Sequence, residues 1–250
     1  MAGTAIPGRL TWLVGEVVAI IDENPTVRSI VFDCPGWPGH RAGQHIDLRL
    51  TAEDGYVAER SYSMANAPAG QNVTITVELV ADGEVSPYLI EELRVGDRVE
   101  LRGPIGGYFV WDHESGAPLM LIGGGSGVVP LMAIVRSRVS GGSSAPIRYL
   151  ASARSHDRLI YVAELDQIVA EDRGVEVVHT LTRSHPESWR GPTRRIDREM
   201  IATHGFGAGD NPLCFVCGPT AFVETVATTL IELGHRPDSI KTERFGPTGG

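Results

Sequence analysis

The chain is poor in the features that mark disulfide-held, metal-clustered, nucleic-acid-binding or membrane-spanning proteins. Of 250 residues, three are cysteine, Cys34, Cys214 and Cys217. Three thiols are too few for a disulfide framework and fit a reducing compartment. They are also one short of the four thiolates of an iron-sulfur module. The spacing Cys214-x-x-Cys217 resembles half of a metal site. It falls in an apolar strand with no second pair, so zinc is not expected and Cys214 reads as a core residue. The eight histidines are scattered without ligand spacing and read as surface or core side chains.

Positive charge is scarce as well. Twenty-two Lys/Arg stand against 31 Asp/Glu, a formal charge of −9. Such a field disfavours nonspecific attraction to nucleic acid or anionic membrane, so any anionic partner has to use a local basic patch. The N-terminus lacks a basic leader region, and Glu16 interrupts its apolar stretch far short of bilayer-spanning length. The expectation is a cytoplasmic protein with neither nucleic acid nor membrane among its partners.

What is present is an ordered hydrophobic pattern in two halves. Hydrophobic residues make up 42% of the chain, enough to bury one large core or two domain-sized ones. From Leu10 to about Gly103, short β-rich runs such as TVRSIVFD, QHIDLRL and NVTITVEL alternate with turn signals, which predicts an antiparallel barrel or sandwich. One helix is expected in SPYLIEELRVG, with Ser86 as its cap, Pro87 at its first position and Gly96 closing it. After residues 112–117 strands alternate with helices: LMLI (119–122), a helix carrying Val128, Leu131, Met132, Val135 and Val139, IRYLAS, a helix over 158–170, VEVVHTL, LCFVC (213–217), a helix ended at Gly234, and IKTERF. That alternation predicts a parallel sheet with helices on both faces. SGGSS at 140–144 reads as a loop inside this half.

Four motifs carry the chemistry: RSYS (60–63), GGGSGVVP (123–130), CGP (217–219) and ERF (243–245). GGGSGVVP leaves a strand and opens a helix, so its backbone N–H groups suit a diphosphate, although Val128 and Pro130 depart from the usual third glycine. A tight turn without a ligand would use the same glycines. ASARS ends the next strand, where a NAD-selective fold places an acidic residue. Arg154 stands there instead and, with Ser152 and Arg183, would surround the 2′-phosphate of NADP. The same arginines would also serve as solvated loop residues. In RSYS, Arg60 can neutralise a diphosphate, Tyr62 offers a ring for stacking and Ser63 a hydroxyl; GEVS (83–86) is a second phosphate-like turn. CGP projects Cys217 toward the cleft at the sheet's carboxyl end. WRGPTRRIDR gathers Arg190, Arg194, Arg195 and Arg198, either as a dock for an acidic protein or as a solvated loop.

In this order the motifs resemble the ferredoxin-NADP reductase superfamily and cover nearly the whole chain. The resemblance implies two domains, an FAD-binding β-barrel over 1–112 and an α/β nucleotide domain over 113–250. It implies that Arg60 and Ser61 lie at the flavin, with Arg60 on its diphosphate, Tyr62 against the isoalloxazine and Ser63 near N5. The turn Gly83, Val85 and Ser86 would bind the FAD diphosphate, and Gly124, Gly125 and Gly127 that of NADPH, with NADH left open. Cys217, carried by Gly218 and Pro219, would lie beside nicotinamide C4. Glu243 would be the active-site carboxylate and Phe245 the aromatic that covers the flavin. In plant-type relatives that aromatic is a terminal tyrosine; here Phe245 is followed by GPTGG.

The activity implied is hydride transfer from NADPH to FAD, then electron delivery to a ferredoxin, a flavodoxin or an oxygenase component. A diaphorase reducing free flavin or quinone, and a nucleotide-responsive regulatory flavoprotein, are the alternatives.

Overall fold

The structure is a computed structural model that describes residues 10–112 and 115–246. The tail 247–250 and residues 113–114, in the expected change of pattern, lie outside the described residues.

The first half folds into six antiparallel strands: β1 (Trp12–Asn24), β2 (Val27–Asp33), β3 (His45–Thr51), β4 (Val57–Ser63), β5 (Asn72–Glu78) and β6 (Arg98–Ile105). Their order is β4-β3-β6-β1-β2-β5, and a bridge between Met64 and Ile75 joins the two edges into a barrel. Alternation sends Ile30, Phe32, Ile46, Leu48, Ile75 and Leu101 inward, where all are fully buried. Truncating one such large side chain costs about 3–5 kcal/mol for Phe and about 2–5 for Ile or Leu. The long β1 pairs with both β2 and β6, and its register shifts between Val17 and Ala19. At Gly15 a Cβ would come within 2.9 Å of Leu101 Cδ1, so the crossing needs a residue without one.

The helix expected in SPYLIEELRVG is a five-residue π-helical turn, Tyr88–Glu92, and Ser86 does not cap it. The Ser86 hydroxyl turns back instead, accepting from Val80 N at 3.0 Å. The backbone N–H of Val80, just past the end of β5, claims the hydroxyl, leaving Pro87 to start the turn. Gly96, at φ +96, belongs to the following turn, where its N–H donates to Val17 O.

The second half is a parallel sheet of β7 (Leu119–Gly124), β8 (Ile147–Ala153), β9 (Val175–Leu181), β10 (Leu213–Pro219) and β11 (Ile240–Phe245), ordered β11-β10-β7-β8-β9. Four helices accompany it: α1 (Val128–Ser140), α2 (Val162–Glu171), α3 (Arg198–His204) and α4 (Thr220–Glu232). Leu119, Leu121, Tyr149, Phe215 and Cys217 face α1 and the barrel, whereas Met120, Ile122, Leu150, Cys214 and Val216 face α3 and α4. Cys214 is therefore a core residue and Cys217 faces the other domain.

Two helical expectations change. The helix predicted over 158–170 starts at Val162, because Leu159, Ile160 and Tyr161 are buried and Tyr161 takes a left-handed conformation (φ 62). That backbone sends the Tyr161 hydroxyl into the barrel, where it donates to Thr76 Oγ1 at 2.5 Å. The arginine-rich segment also runs into an unforeseen helix, α3, whose cap Asp197 accepts from Met200 N at 2.9 Å.

The halves share a core in which Val27, Ala42, Ala65, Phe109 and Trp111 of the barrel pack with α1, Tyr149 and Phe215. Polar contacts fix the orientation. Arg136 donates to Ala65 O at 2.8 Å, clasps Glu164 and lies over the Tyr161 ring; Tyr108 donates to Ile240 O, and Lys241 to Val110 O. Among the described residues no helix is long and apolar enough to cross a membrane.

Candidate active site between the two sheets

The carboxyl ends of β7 and β10 pack so closely that side chains are excluded at the contact. A Cβ on Gly127 would lie 2.2 Å from Cys217 O, and one on Gly218 would lie 2.7 Å from Phe222 Cδ1. Phe222 also covers Gly124, where a Cβ would meet its ring at 3.1 Å. These glycines let the two loops touch. Gly125 differs: it is left-handed (φ +58), exposed, and has open space where its side chain would be. That opening sits at the start of α1, whose unpaired N–H groups make an anion site. Ser152, next to Gly124 in the β7–β8 register, completes the edge. Arg154 O accepts from Arg183 N at 2.9 Å, so both arginines stand at this edge. Both are exposed, and neither has an ion-pair partner among the described residues.

Cys217 and Glu243 are direct neighbours on β10 and β11, with their side chains on the barrel-facing side. Burial pushes the Cys217 thiol well above its ordinary range, and the adjacent Glu243 adds to this, so the sulfur stays protonated. Burial pushes the Glu243 carboxyl up to about 7. Its Oε2 is buried without a hydrogen-bond partner, and its Oε1 lies 4.0 Å from His45 Nδ1. Burial also lowers the His45 pKa, with Asp47 opposing. The contact is thus between an imidazole that is neutral near pH 7 and a half-titrated carboxyl, not between two fixed charges.

His45 is the barrel's contribution, and the sequence reading missed it among eight scattered histidines. Its partner in the β3–β4 register is Ser63. Residues opposite one another in an antiparallel pair share a face, so Ser63, His45, Glu243 and Cys217 form one row across the crevice. The available signal was the hairpin itself: pairing QHIDLRL with ERSYS sets His45 against Ser63.

Alternation separates the remaining motif residues. Ser61 shares Ser63's face, and its hydroxyl donates to Asp47 Oδ1 at 2.7 Å. Arg60 and Tyr62 share the opposite face. The Tyr62 ring packs on the barrel core, and burial pushes its phenol up to about 12. Arg60 lies beside the Gly83–Ser86 turn, where it pairs with Glu84 at 2.9 Å. Val85 and Ser86 are buried. Phe245 is exposed, opposite Pro219 in the β10–β11 register.

The arginine-rich segment is half neutralised, and the exposed Arg195 has no ion-pair partner among the described residues. Arg194 pairs with Asp197 and Glu199, Arg198 with Glu232, and Arg190 donates to two backbone carbonyls. The described residues hold no cluster of His, Cys, Asp and Glu suited to a metal ion.

The residues fit a flavin and a nicotinamide nucleotide: an open left-handed glycine at a helix start, a half-exposed arginine beside a tight turn, and a buried carboxyl oxygen lacking a partner between them. Family models agree. An oxidoreductase FAD-binding domain matches residues 16–110, and an oxidoreductase NAD-binding domain matches 121–228. The chain is 31% identical over 239 residues to the ferredoxin–NAD(P)+ reductase component of the naphthalene 1,2-dioxygenase system of Pseudomonas putida, covering 94% of this chain and 69% of that protein. It is 28% identical to the phenol 2-monooxygenase reductase component of a Pseudomonas species, covering 92% and 65%. About a third of each relative thus lies outside the match. Among solved structures, the FAD/NAD-binding domain of nitric oxide dioxygenase from Vibrio cholerae superposes with a TM-score of 0.84 at 26% identity, covering 94% of this chain and 99% of that one. An Amycolatopsis cytochrome P450 reductase gives 0.83 at 27%, covering 98% and 74%. With its barrel matching an FAD-binding domain and its parallel sheet a NAD-binding domain, the chain belongs to the ferredoxin-NADP reductase superfamily of flavin-dependent oxidoreductases.

Proposed function

We propose that this chain oxidises NADPH in preference to NADH, passes the electrons to FAD, and delivers them to a separate protein such as a ferredoxin, a flavodoxin or an oxygenase component. The single observation that carries the reading is the row Ser63, His45, Glu243 and Cys217, contributed by both halves to one crevice. The same reading assigns a flavin unit to 1–112 and a nucleotide unit to 113–250.

When bound, FAD supplies an acceptor for an electron pair and a donor of single electrons. The protein's work is positioning, which is the main source of rate in such a transfer. Gly125 and the first turn of α1 hold the nucleotide diphosphate, and Gly124 and Gly127 shape the loop that does so. Ser152, Arg154 and Arg183 read the 2′-phosphate. Arg60 faces the flavin diphosphate with Ser61 nearby; Gly83, Val85 and Ser86 contribute only backbone, since the Ser86 hydroxyl is committed to Val80. Tyr62 packs against the flavin ring and Phe245 covers it, while Gly218 and Pro219 fix Cys217. The neutral Cys217 thiol and the Ser63 hydroxyl orient the two rings. Glu243, titrating near 7, holds or yields a proton within the row.

The pairing of Arg194 and Arg198 with nearby carboxylates supports a second reading, reduction of small acceptors such as quinones or free flavin, because it leaves only Arg190 and Arg195 to face an acidic docking partner there. Anaerobic turnover separates the two: a protein acceptor gives rates that fall with ionic strength, whereas a small neutral acceptor gives rates that do not. Arg154→Ala combined with Arg183→Ala tests nucleotide choice. Without the two guanidinium groups on the 2′-phosphate, kcat/KM for NADPH should fall about 100-fold and that for NADH should stay within about twofold. Equal falls for both nucleotides would place the arginines outside nucleotide recognition.

A further inference from the structure

The proposed flavin phosphate site already contains an anion. Within the turn Gly83–Ser86, the Ser86 hydroxyl faces inward on Val80, and Val85 is buried. The outward polar side chain is Glu84, and both of its carboxylate oxygens are engaged. Oε2 accepts from Arg60 Nη2 at 2.9 Å, and Oε1 accepts from the Tyr56 hydroxyl at 2.8 Å. Arg60 is further anchored through Nη1 to Glu59 O at 2.7 Å. The carboxylate therefore occupies the position on the guanidinium that a phosphate oxygen would take. Asp82, exposed two residues before Glu84, makes the surroundings more negative still.

We propose that Glu84 is an internal stand-in for the flavin phosphate, held on Arg60 by Tyr56, and that flavin binds by displacing it. The proposal rests on the assignment of Arg60 to the flavin phosphate. Displacement has two consequences. Each phosphate contact replaces an existing ion pair instead of adding one, so affinity is set by exchange of one anion for another. The displaced carboxylate then stays near the phosphate and repels it. Arg60 and Glu84 nearly cancel as fixed charges, which makes flavin affinity low and insensitive to salt, and leaves the flavin exchangeable with a free pool. Part of the neighbouring charge belongs to the half as a whole: residues 1–112 carry 8 Lys/Arg against 16 Asp/Glu, and residues 113–250 carry 14 against 15.

The test is flavin release from the full-length holoprotein on serial dilution, read by recovery of free flavin fluorescence. FAD is compared with FMN and with riboflavin, which has no phosphate, each loaded by exchange. Removing one charge at contact distance in a half-exposed site should change affinity about five- to tenfold. Glu84→Gln should therefore hold FAD and FMN about five- to tenfold tighter and riboflavin unchanged. Wild-type affinity should vary less than about twofold between low and high salt, while that of the variant falls severalfold as salt rises. Unchanged or weaker FAD binding in Glu84→Gln overturns the proposal, and so does tightening that extends equally to riboflavin. Arg60→Gln tells the two layers apart. If it loses FAD and FMN at least tenfold and Glu84→Gln gains nothing, Arg60 is the phosphate contact and Glu84 is a bystander; if neither variant moves FAD, the Arg60 assignment fails together with the proposal.

Discussion

The two proposed phosphate regions are built on opposite plans. On the nucleotide side the site is backbone: a left-handed Gly125 open to solvent at the start of α1, beside loops brought together by Gly127 and Gly218. On the flavin side it is a side chain, Arg60 of β4, beside a turn whose hydroxyl is turned inward and whose carboxylate already rests on the guanidinium. A backbone site is sensitive to side chains where its loops touch, as at Gly127 and Gly218, but depends little on charge. Charge sites tolerate many shapes but are retuned by any neighbouring ion. The contrast explains why the role proposed for GGGSGVVP rests on its own letters, whereas the character of RSYS depends on Glu84, twenty-four residues from Arg60.

The steric half of the comparison breaks most sharply at Gly127. Its substitution by alanine drives a Cβ into the Cys217 carbonyl, and overpacking against backbone should cost about 3 kcal/mol of stability, measured by denaturant unfolding of the holoprotein. Gly125→Ala meets no atom and should cost only about 1 kcal/mol, the strain of a left-handed alanine, while weakening NADPH binding. Similar stability losses at both positions would show that the loop contact between Gly127 and Cys217 is not tight.

Between the two phosphate regions lies the carboxyl of Glu243, and its effect is smaller and depends on pH. Its pKa is raised from 4.5 to about 7 in the folded chain, so the folded state holds a proton that the unfolded state has lost. Stability linked to this group is complete below about pH 4.5 and declines as pH rises through about 7. A quarter of the side chain remains exposed, and allowing for water the ionised form costs about 1–2 kcal/mol. Glu243→Gln should therefore be about 1–2 kcal/mol more stable than wild type at pH 8 and close to it at pH 4.5, with a flatter unfolding profile between. A variant less stable than wild type at pH 8 would mean that Glu243 is ionised and satisfied in the crevice.

Fold was legible wherever hydrophobic periodicity decided it. The strands of both sheets and α1 and α4 stand close to where the pattern put them. The sequence misled where a tertiary contact outweighed local preference. Tyr161 gives up helical backbone so that its hydroxyl reaches Thr76 across the domain boundary, and Ser86 abandons a cap to satisfy Val80. α3 was legible in principle, from Asp197 as its cap and Gly205 as its stop, but the density of arginines drew the reading toward a binding loop. Within the crevice, Cys217 and Glu243 were named separately, and their pairing in register is a property of strand order. His45 was hidden for the same reason, since a lone histidine gains meaning only once β3 is laid against β4 and the barrel against β11.

The central claim is that side chains from both halves meet where the two rings would lie. It is tested most directly by anaerobic stopped-flow reduction of the bound flavin by NADPH in wild type, Ser63→Ala and Cys217→Ala. The expected result is rapid loss of flavin colour in wild type and rates about 10- to 100-fold slower in each variant, with flavin content and thermal stability retained. Wild-type rates in both variants, or a wild-type flavin that stays oxidised under excess NADPH, would contradict it.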